Sequence, residues 1–82
     1  MKILHMFNLR FSGDMVKART RKHLSQQEIA EAIGVSVRQY QRIEKGLCQP
    51  KAEVFLRLVL TLDLNIEDYR EVVFSYVPIS SR

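Results

Sequence analysis

The chain is poor in the residues that carry covalent and metal chemistry. Its 82 residues include one cysteine, Cys48, so no disulfide can form within the chain, and a free, reduced thiol in a loop is expected. The two histidines, His5 and His23, are separated in sequence from each other and from Cys48. Nothing has metal-ligand spacing, so neither metal nor cofactor is expected. No nucleophile–base pair, paired carboxylates or phosphate-cradling glycine loop is visible, which argues against an enzyme. No apolar run approaches the ~20 residues of a membrane span. The apolar start at Met1–Phe7 is cut short by Asn8 and Arg10, so a signal peptide is not expected and the protein reads as cytoplasmic. There is no repeat and no low-complexity segment, and no small-molecule ligand is evident.

What is present suits one small folded domain with a polyanionic partner. Hydrophobic residues make up 46% of the chain, too many for a disordered segment. The formal net charge is +4 and the pI about 9.6. The charge is unevenly placed. From Lys17 to Lys51 there are eight basic residues against three acids, and from Glu53 to Glu71 two against five. The positive field therefore belongs to the first half, and the acidic half faces away from phosphate.

Residues 2–11 show no helical period. Ile3, His5, Phe7, Leu9 and Phe11 alternate as one face of a strand would, and Ser12-Gly13-Asp14 reads as a turn that also caps a helix. This predicts an extended N-terminal arm over 1–13, a helical domain over 14–75 and an extended tail over 76–82, where Tyr76-Val77-Pro78-Ile79 is held out of the helical region by its proline. The terminal segments could pair as strands. Within the domain, helices are expected at about 14–23, 26–33, 37–45, 51–62 and from an Asn65 cap to about Phe74. The first has Met15 and Ala18 inward.

The second and third helices announce their own starts. Ser25 with Glu28 is a capping box, and Ser36 with Gln39 repeats the signature. Between them Ile29, Ala30 and Ile33 recur at helical spacing. Gly34 stands where a helix end needs a left-handed residue. Tyr40 and Ile43 are the inward pair of the next helix, and Ala30 leaves room for the helices to cross. Gly46 and then Pro50 mark the stop. Two capped helices joined by a tight turn, the second rich in arginine and glutamine, read as a helix-turn-helix for double-stranded DNA.

From about Met15 to Tyr69 the chain resembles the phage repressor/Cro-type helix-turn-helix family, the xenobiotic-response-element class. The matching residues are Arg19, Leu24-Ser25-Gln26, Glu28-Ile29-Ala30, Ile33-Gly34-Val35-Ser36, Ile43-Glu44-Lys45-Gly46, Pro50 and Leu62…Ile66-Glu67-Asp68-Tyr69. The resemblance implies a five-helix domain, sequence-specific operator binding and usually a dimer. It also implies an ion pair between Arg19 and Glu44 that fixes the recognition helix. Three positions depart from the family pattern: Lys51 in place of a serine or threonine cap, Asp63 in place of a terminating glycine, and Tyr40 in place of an aliphatic. The hydroxyl of Tyr40 then needs a polar partner.

With Tyr40 and Ile43 inward, the outward positions of the third helix are Val37, Arg38, Gln41 and Arg42. Arginine matches the two acceptors of guanine, glutamine can do the same for adenine, and Val37 could touch a thymine methyl. These four are the candidate base contacts, although any of them could serve phosphate instead. Candidate phosphate contacts are Arg21, Lys22, Gln26, Gln27, Gln39 and Lys45. Gln26 opens the second helix, where the dipole and exposed N–H groups suit an anion.

The fourth helix is apolar nearly all round. Ala52, Phe55, Leu58, Val59 and Leu62 form the stripe a core needs; Val54, Leu56 and Leu60 fill other faces and are expected at a homodimer interface. A transcriptional regulator, acting as a repressor, is the reading these features favour. The alternative is an antitoxin-like or protein–protein interaction module on the same fold, for which the N-terminal segment is the only candidate partner-binding strand.

Overall fold

The cap signals at Ser25 and Ser36 produce the helices they announce. The computed structural model describes residues 2–76, with side chains from Leu9 onward. Helix α2 runs Gln26–Ile33, and helix α3 runs Val37–Glu44. Ser25 Oγ accepts the Glu28 N–H at 3.0 Å while the Glu28 carboxylate accepts the Ser25 N–H at 2.8 Å. Ser36 Oγ accepts the Gln39 N–H at 3.0 Å. Gly34 ends α2 with φ 78°, a left-handed conformation that glycine takes without steric cost. From across the fold, the Arg57 guanidinium donates to the Ile33 carbonyl at 3.2 Å, satisfying a carbonyl in the last turn of α2.

The N-terminal segment differs from expectation. It is not a strand: helix α1 runs unbroken from Lys2 to Arg21, through the Ser12-Gly13-Asp14 segment read as a turn. Phe11, Met15 and Ala18 share one face of it and are buried in the core. A mid-helix glycine costs about 1 kcal/mol relative to alanine, which burial of Phe11 and Met15 exceeds at roughly 1.5–3 kcal/mol per side chain. The other two turn-formers are enlisted in tertiary bonds. Ser12 Oγ donates to the Glu44 carbonyl, and the Asp14 carboxylate accepts from the Tyr69 hydroxyl. Beyond α1, His23 takes a left-handed φ of 58°, and the Leu24 N–H reaches back to the Arg19 carbonyl at 3.1 Å.

Helix α4 (Ala52–Leu62) ends on Asp63, which is left-handed at φ 55°, as the missing glycine required. The last segment is a 3-10 turn, Ile66–Tyr69, leading into helix α5, Arg70–Tyr76. Asn65 Oδ1 accepts the Glu67 N–H at 3.1 Å and so caps the turn. Tyr76 is the last residue of α5 rather than extended, and its hydroxyl donates to the Pro50 carbonyl. The extended tail expected from Val77 onward lies outside the described residues. Among the described residues the fold is five α-helices without a strand.

Helices α3 and α4 each pack against both α1 and α2. Aromatic rings join α1, α4 and the C-terminal segment. Phe11 lies 5.3 Å from both Phe55 and Tyr69, and Phe55 lies 5.5 Å from Tyr76, within the range in which ring pairs add to plain burial. Val54, expected at a subunit interface, is buried within this core. The α4 residues left on the surface are Leu56 and Leu60, at 46% and 76% exposure. Among the described residues no helix is long and apolar enough to cross a membrane.

Candidate nucleic-acid interface

Helix α3 is divided sharply by burial. Tyr40, Ile43 and Glu44 face inward and are buried, while Arg38, Gln39, Arg42 and Lys45 are exposed. At one hundred degrees per residue, Arg38, Arg42 and Lys45 form a single outward stripe. Val37 and Gln41 are half-buried along the edge that faces α2, and Val37 packs partly on the core. Of the candidate base contacts, the two arginines are therefore the fully presented ones.

A buried carboxylate sets the position of this helix. Glu44 is 7% exposed and accepts hydrogen bonds from three elements. Arg19 of α1 donates through Nε at 2.7 Å and through Nη2 at 3.3 Å. Gln26 of α2 donates through Nε2 at 2.6 Å. Tyr40 of α3 itself donates through its hydroxyl at 2.7 Å, an i,i+4 neighbour on the helix. Burial alone would raise the Glu44 carboxyl pKa, but hydrogen bonds from Arg19, Tyr40 and Gln26 outweigh it and hold the group below its ordinary value. The Glu44 bond in turn raises the Arg19 pKa against desolvation. Burial, and then the bond to Glu44, pushes the Tyr40 phenol well up. The hub is thus a carboxylate held ionised, an arginine held charged and a phenol held neutral. Arg19 also donates to the Leu24 carbonyl at 3.1 Å, which ties the end of α1 to the approach to α2.

The other candidate phosphate contacts divide into free and engaged groups. Arg21, Gln27, Gln39 and Lys45 are exposed, and Gln27 donates to Glu31 at 3.2 Å along its own helix. Lys22 lies 2.6 Å from Asp63 beyond α4. Gln26 is the residue whose placement departs furthest from expectation. Its side chain turns inward to Glu44, and its carbonyl oxygen accepts from Gln41 Nε2 at 3.0 Å. Sequence reasoning found Arg19 and Glu44 but missed Ser12, Tyr40 and Gln26 as members of the same cluster. The four-residue spacing of Tyr40 and Glu44 was the one local signal available; Ser12 and Gln26 lie 32 and 18 residues from Glu44 in sequence.

Among the described residues no group of three or more His, Cys, Asp or Glu side chains is placed to hold a metal ion. A helix-turn-helix family model matches residues 15–69, two thirds of the chain. No curated protein and no solved structure matches it.

Proposed function

Since the chain belongs to the Cro/C1-type helix-turn-helix family, one of DNA-binding transcription regulators, we propose that it is a sequence-specific repressor of the xenobiotic-response-element class that lays α3 in the major groove. The observation that carries this reading is the outward stripe Arg38–Arg42–Lys45 on a helix whose inner face is fixed by Glu44. A helix in the groove presents such a stripe to base edges, and guanidinium forks match guanine. Arg38 and Arg42 read bases, with Val37 and Gln41 at the edge of the contact. Arg21, Lys22, Gln27, Gln39 and Lys45 meet phosphate. Repression is the simpler mode, because occupying an operator needs no second surface for the transcription machinery.

The protein acts as a homodimer in this reading. Leu56 and Leu60 lie one turn apart on α4, on the acidic half of the molecule. Pairing two copies there leaves both basic faces free, and sets two α3 helices about 34 Å apart on a near-palindromic site. Enrichment from a random duplex pool tests the whole proposal. The expected product is a two-fold-related site whose affinity falls steeply with salt, by about 0.9 in log affinity per log salt for each phosphate neutralised. Absence of any enriched sequence refutes it. Light scattering on the wild type and on Leu60→Lys tests the dimer, which a monomeric wild type at tens of micromolar overturns.

A further inference from the structure

The hydrogen-bond relay behind α3 has a direction. Glu44 is buried among Arg19, Tyr40 and Gln26, and an ionised carboxylate can only accept. Gln26 must therefore turn its amide nitrogen inward, as it does at 2.6 Å. Its oxygen is then the outer atom, and an oxygen can only accept. Gln41 must in turn offer its own amide nitrogen, as it does at 3.0 Å. A glutamine amide flips freely in water. Here each flip would set oxygen against oxygen at one of these two contacts.

We propose that Gln26 is a positioning residue: it relays the polarity of Glu44 to Gln41 and so presets the Gln41 amide for adenine. The inference rests on the DNA-binding reading above. One N–H of the Gln41 amide is held by Gln26, leaving the second N–H and both lone pairs of the oxygen. Adenine offers N7 as an acceptor beside its N6 donor, and an amide with one free N–H and a free oxygen meets both. The opposite amide orientation would place its oxygen toward Gln26 and disorder the pair. Gln26 thereby has a role other than a phosphate contact, and the two roles differ in what they predict. A phosphate contact changes affinity on all sequences alike; a positioning residue changes preference at one base pair.

The test is enrichment from a random duplex pool with the wild type, Gln41→Ala, Gln26→Leu and Glu44→Gln, each first checked for folding by thermal melting. Wild type should enrich an A·T pair at one position per half-site. Gln41→Ala should lose that preference, which for a bidentate contact amounts to about 5-fold to 150-fold between bases. Gln26→Leu keeps the side-chain bulk and should relax the same position while sparing those read by Arg38 and Arg42. Glu44→Gln, whose amide can donate as well as accept, should relax it partly, because Gln26 is then free to turn either way. Gln26→Leu with the A·T preference intact, or with a uniform loss and a salt slope lower by about 0.9, overturns the relay and returns Gln26 to the phosphate. A wild type that enriches no sequence refutes DNA recognition itself. If Glu44→Gln fails to fold, the comparison of Gln26→Leu with Gln41→Ala decides alone.

Discussion

The two faces of α1 are held to the rest of the molecule by different chemistry. Toward α2 and α3 the contact centres on a buried carboxylate with donors from three helices. Toward α4 and the C-terminal segment it centres on the rings of Phe11, Phe55, Tyr69 and Tyr76, with Arg10 5.5 Å from the Tyr69 ring. Aromatic packing supplies burial with loose directionality, whereas hydrogen bonds to one carboxylate fix angles and register. The first region carries the basic stripe and must present α3 at a defined angle; the second carries the acidic surface and has only to be stable. The contrast explains why a buried charge, rarely the cheapest way to stabilise a core, is placed where it is.

The largest effect should come from removing the hydrophobic side of this pairing. Phe55→Ala deletes a ring that touches Phe11 of α1 and both Tyr69 and Tyr76 of the C-terminal segment, and should cost about 3–5 kcal/mol in chemical denaturation. In a domain of this size that is a large part of the total stability. A loss under ~1 kcal/mol would mean that the ring cluster is not the main support of that half.

Glu44→Ala strands Arg19 and Tyr40 at once and should cost about 3 kcal/mol, at the lower end for a broken buried pair because Arg19 is partly exposed. The distinguishing signature is its pH dependence. The folded pKa of Glu44 lies below its ordinary value of 4.5, so in acid the unfolded chain binds a proton that the folded chain does not. The hub's stability is therefore present above the ordinary value and lost as pH falls through the depressed one. Denaturation of Glu44→Gln should show a flatter acid limb than wild type, whereas Phe55→Leu should keep the wild-type limb. Equal limbs in all three proteins would dissolve the contrast between the two regions. On the alkaline side the contrast disappears, because burial raises both the Tyr40 and the Tyr69 phenols. Both regions should lose stability as pH rises above 10, the ordinary tyrosine value.

Smaller effects separate reading from positioning within the basic half. Arg38→Ala or Arg42→Ala should leave melting nearly unchanged while costing about 1–3 kcal/mol on the best site and relaxing one base position. A loss shared by all sequences would assign that arginine to phosphate. Lys22→Ala breaks an exposed pair with Asp63 and should change stability by less than about 1 kcal/mol. Its salt slope for DNA binding should nonetheless fall by about 0.9, and an unchanged slope would leave Lys22 with Asp63 alone.

How much of this could be read from the chain depends on the range of each signal. The limits of α2 and α3 were legible because their caps are local: Ser25 with Glu28, Gly34, and Ser36 with Gln39 act within one turn. The left-handed end at Asp63 was legible for the same reason. The start of α1 was not. The alternation from Ile3 to Phe11 and the Ser12-Gly13-Asp14 signal are local too, but they were overridden by burial of Phe11 and Met15 and by bonds to Glu44 and Tyr69. Val54 looked surplus because α4 is apolar on several sides; the core takes it in, and only Leu56 and Leu60 of that trio are left outside. The stripe of Arg38 and Arg42 follows from a helical wheel alone. Gln26 does not, because its direction is set by groups 15 and 18 residues away.

The division of labour between the two regions is tested most directly by following backbone amide resonances while an enriched duplex is titrated into the protein. The expected result is large shifts confined to Arg21, Lys22, Gln26, Gln27 and the stretch from Val37 to Lys45, with Glu53, Glu67 and Glu71 unmoved. Shifts concentrated on α4 and α5 with α3 silent would contradict the account.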